Sequence, residues 1–108
     1  LGLLYSQAGD PRAFAAAKRA YELAPKRAAI ADTYGWLLVQ RGNAAEGLPI
    51  LESARAQARS DDEVGYHYAA ALAAVGRKPQ AKKELQKLLE PGIQFPSRKA
   101  AEQLLARM

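Results

Sequence analysis

Three glycines recur at nearly constant spacing in this 108-residue chain, and each one closes an apolar stretch. They are Gly9, Gly42 and Gly76, so successive glycines are 33 and 34 residues apart. A short polar turn follows each of them. Glycine is favoured just past the end of a helix because it adopts the left-handed conformation without a steric penalty. The recurrence therefore indicates stacked helical hairpins, with each glycine at the corner between two helices.

This frame predicts a first and a second helix in each repeat, and the composition agrees with it. Ala occurs 24 times and Leu 14 times, whereas Val, Ile and Thr together supply seven residues, a bias that favours helix over strand. The chain is therefore predicted to be all-α. The first helices are predicted over residues 1–8, 28–41 and 62–75, the second helices over 11–24, 44–58 and 78–90, and a final amphipathic capping helix over 97–107.

Polar residues at the predicted helix starts suit the capping of exposed N–H groups. Asp10, Asn43 and Ser97 stand where N-caps are expected. The acidic run 61–63 would suit a cation, but it also lies at a helix start, where negative charge complements the helix dipole. We interpret this run as a helix cap and not as a metal site.

Pro49 falls inside the helix predicted over residues 44–58. An internal proline removes one backbone hydrogen bond and clashes with the carbonyl four residues earlier. The sequence therefore predicts a kink in this helix, or a helix that restarts near Gly47.

The repeat pattern resembles the tetratricopeptide repeat, a helical hairpin of 34 residues whose first helix carries a Leu-Gly-x-x-Tyr core. Leu1-Gly2 with Tyr5 matches this core directly. Tyr34-Gly35 with Leu38 and Tyr68-Ala69 with Leu72 match it by residue type, and Pro25 fits the terminal proline. The second helices carry the small and large core positions of the family at Ala13, Ala17 and Ala20, at Gly47, Leu51 and Ala54, and at Ala81, Leu85 and Leu88.

The resemblance implies an α-solenoid that winds as a right-handed superhelix, with its first helices lining a concave groove. It divides the chain into a partial repeat at 1–27, repeats at 28–61 and 62–92, and the capping helix at 97–107. The opening Trp of the family is replaced by Ala31 and Gly65 in the second and third repeats. The run 32–38 is also similar to repeats of bacterial envelope and exosortase-associated tetratricopeptide proteins. Because the chain starts in a predicted helix, we expect further repeats upstream.

The sequence contains no motif of a known catalytic or metal site. There is no cysteine, nucleotide loop, catalytic triad or zinc-binding pair of histidines. His67 is the only histidine, and Glu63, one turn away, is a possible hydrogen-bond partner but not a second metal ligand. His67 is predicted to be either a polar contact in the groove or an ordinary surface residue. We therefore predict a protein that is not an enzyme, with no cofactor, no metal and no small-molecule substrate.

The formal charge of +5 raises the question of an acidic partner. The predicted first helices contain only Arg41, at a helix end, so the groove implied by the resemblance is not basic. The sequence therefore disfavours nucleic-acid binding in the groove, because phosphate recognition needs a basic contact surface. Binding of nucleic acid or an acidic partner to the convex face, which would include Lys82 and Lys83, stays as an alternative. Some tetratricopeptide domains bind the C-terminal carboxylate of a peptide through Lys, Arg and Asn of their first helices. The predicted groove positions contain none of these residues, so this kind of binding is disfavoured.

The remaining groove residues are apolar and aromatic, with a few polar neighbours. Trp36 is the single tryptophan, and it either anchors a partner or packs against the next repeat beside Ala70. The main prediction is a protein or peptide-binding scaffold; the alternative is a structural C-terminal cap of a longer array whose groove lies upstream. The sequence shows no membrane span and leaves the compartment open between bacterial envelope and cytoplasm. The predicted partner-binding residues are Asp32, Thr33, Trp36, Val39, Tyr66 and His67.

Overall fold

The computed structural model describes residues 10–108, and this part of the chain consists of six α-helices with no strand. The predicted all-α class is confirmed. The helices observed here match those predicted within two residues at each end, whereas the helix predicted over 1–8 and the corner at Gly9 lie outside the described residues. The helices are α1 (Pro11–Leu23), α2 (Ala28–Gln40), α3 (Ala44–Gln57), α4 (Asp62–Ala74), α5 (Lys78–Leu88) and α6 (Arg98–Ala106).

The corners at Gly42 and Gly76 are equivalent, as the repeat frame predicts. Both glycines have a φ of 87°, in the left-handed region. After α2, the N–H of Gly42 donates to the carbonyl of Val39 and the next N–H donates to that of Leu38. The same pair of bonds follows α4, from Gly76 to Ala73 and from the next residue to Leu72. Each corner is a Schellman motif, in which these two bonds satisfy carbonyls at the helix end.

Close packing of α2 against α3 explains the small residues of the hairpin. A Cβ atom at Gly47 would lie 2.7 Å from the carbonyl oxygen of Gly35, and one at Gly35 would lie 2.8 Å from Leu51 Cγ. Leu38 and Leu51 are fully buried beside these glycines. The small residues thus let the helices approach while the leucines fill the remaining space.

The helices stack in chain order. Each one packs on the next, and α2 and α6 both also contact α4. Ala31, at a position that carries Trp in the family pattern, is fully buried in one cluster with Ala54 and Val64. The core runs through the stack as a series of buried residues that includes Leu48, Leu51, Val64, Ala69, Leu72, Ala81, Leu85, Leu88 and Ala101.

The helix with the internal proline is not interrupted. Pro49 lies inside α3, which continues from Ala44 to Gln57. The expected restart near Gly47 was therefore wrong, whereas a bend within the continuous helix stays a prediction. Pro49 is exposed, so its ring points away from the tight contact that Gly47 makes with α2.

The helix starts show two kinds of N-cap residue. The carboxylate of Asp10 accepts a bond of 2.9 Å from the N–H of Arg12, and that of Asp61 accepts bonds from the N–H groups of Glu63 and Val64. The capping role of the acidic run 61–63 is thus confirmed. Asn43 and Ser97 hold the N-cap positions of α3 and α6, as predicted, but neither side chain bonds to the helix that follows it. For Asn43, the backbone is not extended and its N–H closes the preceding corner.

The last helix covers one side of the third hairpin. Ala101 is fully buried, and Leu104 and Leu105 pack against the same core. Arg98 anchors the start of α6, because its guanidinium donates hydrogen bonds to carbonyls at and after the end of α5. These acceptors are the carbonyl oxygens of Leu89, Glu90 and Ile93.

Candidate functional site

Three ring side chains from two first helices meet on one face of the stack. Trp36 of α2 stacks on His67 of α4, with ring centroids 4.2 Å apart and planes inclined by 16°. Tyr66 tilts against Trp36 at 5.7 Å and 60°. All three side chains are partly exposed. We call Trp36, Tyr66 and His67 the aromatic cluster.

A chain of polar contacts passes through His67 and crosses three helices. His67 Nδ1 lies 2.7 Å from Asp32 Oδ1 of α2, and His67 Nε2 lies 3.6 Å from Glu63 Oε2 of α4. Glu63 in turn accepts hydrogen bonds from the backbone N–H and the hydroxyl of Ser97, which precedes α6. We call Asp32, His67, Glu63 and Ser97 the polar chain. The link between Asp32 and His67 joins α2 to α4, and the link between Glu63 and Ser97 joins α4 to the start of α6, so the polar chain ties these three helices together.

The polar chain determines the orientation of the imidazole ring. At 2.7 Å, Nδ1–H donates a hydrogen bond to the carboxylate of Asp32, which is an acceptor only. In a neutral ring, Nε2 then presents its lone pair toward Glu63, whereas in a protonated ring both nitrogens carry hydrogens. The side chains of His67 and Asp32 are only 12% and 16% exposed, so the bond is shielded from water. Trp36 therefore stacks on a ring that is held in place.

A pocket of about 420 Å³ opens beside the aromatic cluster. Thr33 lies on its wall and uses its hydroxyl to donate a 2.9 Å bond to the carbonyl of Ala29. Four of the predicted partner-binding residues therefore share one pocket. Among residues 10–108, the lining comprises Asp32, Thr33, Trp36, Leu37, Gln40 and His67, together with Ala13, Ala16 and Ala17 of α1.

Ala13, Ala16 and Ala17 of α1 form one wall of this pocket, which we call the alanine wall. This wall has a counterpart in the next repeat. Ala13 and Ala17 are the repeat equivalents of Gly47 and Leu51, which in α3 pack against Gly35 of α2. Their own partner in this frame is the helix predicted over residues 1–8, which lies outside the described residues. We therefore place the candidate site at the aromatic cluster and Asp32, and not at the alanine wall.

The other two predicted partner-binding residues, Val39 and Tyr66, are not among the described residues that line this pocket. Val39 instead packs against the core around Leu48, so its role in partner binding stays a prediction. Tyr66 joins the cluster but also packs against the core beneath α6. Burial raises the pKa of Tyr66; the positive charge of Arg107 opposes this shift, and the negative charge of Glu63 adds to it. Tyr66 thus links the candidate site to the last helix.

Sequence reasoning missed the two long-range links of the polar chain. It considered Glu63 as the partner of His67, whereas Asp32 is the closer carboxylate. The partners Asp32 and His67 are 35 residues apart in the chain, and Glu63 and Ser97 are 34 apart. Both separations are close to the repeat length. A search for polar pairs one repeat apart would have found them.

The first helices differ in charge from the rest of the described chain. Neither α2 nor α4 contains Lys or Arg, and they carry the carboxylates Asp32, Asp62 and Glu63. The basic residues lie on the other helices and on the turns. In residues 10–108, no group of three acidic or histidine side chains is placed to hold a metal ion. None of the helices in this range combines the length and apolar character that a membrane crossing needs.

Comparison with known proteins gives a family but no individual relative. No curated protein and no solved structure matched this chain. The family described as tetratricopeptide repeat matches residues 1–91, which is most of the chain and includes α1 to α5. The narrower similarity to exosortase-associated proteins stays a prediction. Tetratricopeptide repeats are typically non-catalytic scaffolds for protein interaction, and a stack of helical hairpins matched over this length shows that the chain belongs to the tetratricopeptide repeat family.

Proposed function

We propose that this protein is a non-catalytic scaffold that binds a segment of another protein along α2 and α4. The aromatic cluster carries this proposal. It gathers partly exposed rings from neighbouring repeats beside a largely apolar pocket. Aromatic side chains are frequent anchors of protein interfaces because they contribute a large contact area at a small entropic cost.

The polar residues around the cluster support specific binding. Asp32 and Glu63 hold the ring of His67, so the surface under Trp36 is ordered before a partner arrives. Preorganisation lowers the entropic cost of association. Gln40 and Thr33 at the pocket wall provide polar atoms that can orient an incoming backbone or side chain. An amphipathic helix or an extended segment fits this combination of apolar anchor and polar rim.

The test uses the chain of residues 1–108 and peptides selected on it from a displayed random library. We expect W36A/Y66A to weaken the binding of the selected peptides by at least tenfold, because truncation of an aromatic anchor costs about 2 kcal/mol or more. The matched control is K82E/K83E, which changes two exposed residues of α5 and should leave the affinity nearly unchanged.

Circular dichroism must first show that W36A/Y66A is folded, because Trp36 also contacts the next repeat. If a folded W36A/Y66A protein binds the peptides normally, the aromatic cluster is not the site. If the lysine variant and added salt abolish binding instead, the exposed basic face that includes Lys82 and Lys83 becomes the site, since contacts to phosphate or acidic partners weaken steeply with salt.

A structural role at the end of a longer array is the second candidate. It is favoured by α6, which covers the third hairpin and turns Lys99, Glu102 and Gln103 to solvent. Terminal repeats of solenoids need such a polar outer face for solubility. Deletion of residues 97–108 should then expose apolar core, detectable by binding of a hydrophobic dye and by aggregation. An unchanged solution behaviour of the truncated chain would contradict this role.

A further inference from the structure

We infer that the site on α2 and α4 selects a partner segment with a basic side chain next to a large apolar one. The inference rests on the proposed function and adds the chemical class of the partner. It starts from the contrast between a chain with net charge +5 and two first helices without any Lys or Arg. The net charge of the protein therefore predicts the wrong class of partner for this face.

The carboxylates of this face stand on both sides of the aromatic cluster. Asp32 contacts one nitrogen of His67, and Glu63 lies 3.6 Å from the other. Asp62, at the first turn of α4, extends the negative charge toward the start of that helix. Asp32 accepts a hydrogen bond from His67, and Glu63 accepts hydrogen bonds from Ser97. A carboxylate has more acceptor positions than these bonds occupy, so both residues can accept further hydrogen bonds from a partner.

A cation of this protein borders the face near Tyr66. The positive charge of Arg107, after α6, and the negative charge of Glu63 both act on the phenol of Tyr66. A basic side chain of the partner would therefore be repelled near Arg107 and attracted toward Asp62 and Glu63. This orients the partner, with its basic residue at the start of α4 and its apolar residue over Trp36.

The distance between Glu63 and His67 along α4 predicts the spacing of the basic and apolar residues in the partner. Glu63 and His67 are separated by one helical turn, a rise of about 6 Å. A helical partner bridges this distance with residues three or four positions apart. An acidic segment is disfavoured at the same place because like charges across an interface oppose association. The chemistry thus fits a short segment with Lys or Arg three or four residues from Leu, Met, Phe or Trp.

The experiment selects peptides from a displayed random library on the wild-type chain and on the same chain with D32N/E63Q. These substitutions remove two charges and keep side chains of the same size. Wild-type selections should be enriched in Lys or Arg near a large apolar residue. For a synthetic winner, D32N/E63Q should weaken binding about fivefold to tenfold, as expected for two partly exposed ion pairs. The fluorescence of Trp36, the single tryptophan, reports binding.

Changes in the peptide test the same point without altering the fold. Replacing the Lys or Arg of the winner by Gln should weaken its binding to the wild-type protein and remove most of the difference between wild type and D32N/E63Q. Selections that are rich in acidic residues, or show no charge bias, would overturn this inference. If such peptides still bind W36A/Y66A more weakly than the wild type, the proposed function holds and only the inference of a basic partner segment fails. A library that yields no binder would contradict both.

Discussion

Gly47 determines how closely α2 and α3 approach, because the carbonyl oxygen of Gly35 occupies the place of its missing methyl group. G47A gains about 1 kcal/mol of helix propensity, but overpacking costs about 1–3 kcal/mol. The carbonyl oxygen of Gly35 is a backbone atom and cannot rotate away, so we expect a cost in the upper part of this range. The free energy of urea unfolding should therefore fall by about 1–2 kcal/mol in total. A45G, at an exposed position of α3, measures the propensity contribution alone. Stabilisation of G47A would show that the hairpin can open at no cost.

Tyr66 should make the protein sensitive to alkaline pH. Burial raises its pKa above the ordinary value near 10, so the neutral phenol is favoured in the folded state. The unfolded chain therefore loses this proton first, and the free energy of unfolding should fall as the pH rises above about 10. Y66F removes this contribution and should fall less steeply over the same range. Identical slopes for Y66F and wild type, from urea unfolding at each pH, would contradict the assignment.

Individual residues were predictable where helical spacing alone decides their environment. Trp36 and His67 were identified from their positions on the first helices, and the structure brings them together. Val39 lies three residues from Trp36 and was predicted to bind the partner with it, yet Val39 packs toward Leu48. Spacing within one helix does not fix the line at which the core ends and the exposed face begins. That line depends on the angle between neighbouring helices.

Among the elements, α6 depends on a carboxylate that belongs to α4. E63A removes two hydrogen bonds to Ser97 and the contact with His67, and we expect a loss of about 2 kcal/mol in stability, with faster amide exchange in α6. D62A is the matched control, since it removes a neighbouring charge at the same helix start and should cost less than about 1 kcal/mol. Equal effects of E63A and D62A on α6 would show that the helix dipole, and not the polar chain, explains the loss.

The helices themselves followed from the sequence because local signals mark their ends. The glycines at 42 and 76 close α2 and α4 through the same pair of bonds. The restart predicted from Pro49 did not occur, because α3 continues through this exposed position, so the proline did not determine a helix boundary. The N-cap positions of Asn43 and Ser97 were predicted correctly, but the capping bonds expected from their side chains are not formed. Their polar groups bind partners in a preceding corner and a preceding repeat, which propensities within one helix do not include.

On the scale of the whole molecule, stability should be unequal along the stack. In the part of the chain described by the structure, helices contact only those one or two places away in sequence. Such stacks unfold locally, and each unit has its own opening free energy. No residue of α1 is buried, and Leu23 is 80% exposed. We expect amides of α1 to exchange faster than those of α4 in native-state hydrogen exchange. Equal protection of α1 and α4 would indicate a single cooperative unit.

The family of the molecule was predictable, whereas the chemistry of its face was only partly so. A period of about 34 residues and the small core positions are encoded in the sequence and led directly to the tetratricopeptide repeat. The polar chain depends on the rotation between successive repeats, and that rotation is set by packing along the stack. The sequence separation of Asp32 and His67 makes them candidates for a pair, whereas their contact is established only in three dimensions.

The polar chain also has an elastic consequence. Its links run between repeats, from α2 to α4 and on to the start of α6. They resist shear between repeats, and hence changes in superhelical pitch. They do little to oppose the separation of the two helices within one hairpin, which is held by the apolar contact around Gly47 and Leu51. The stack is therefore expected to be stiff toward winding and softer toward the breathing of its hairpins.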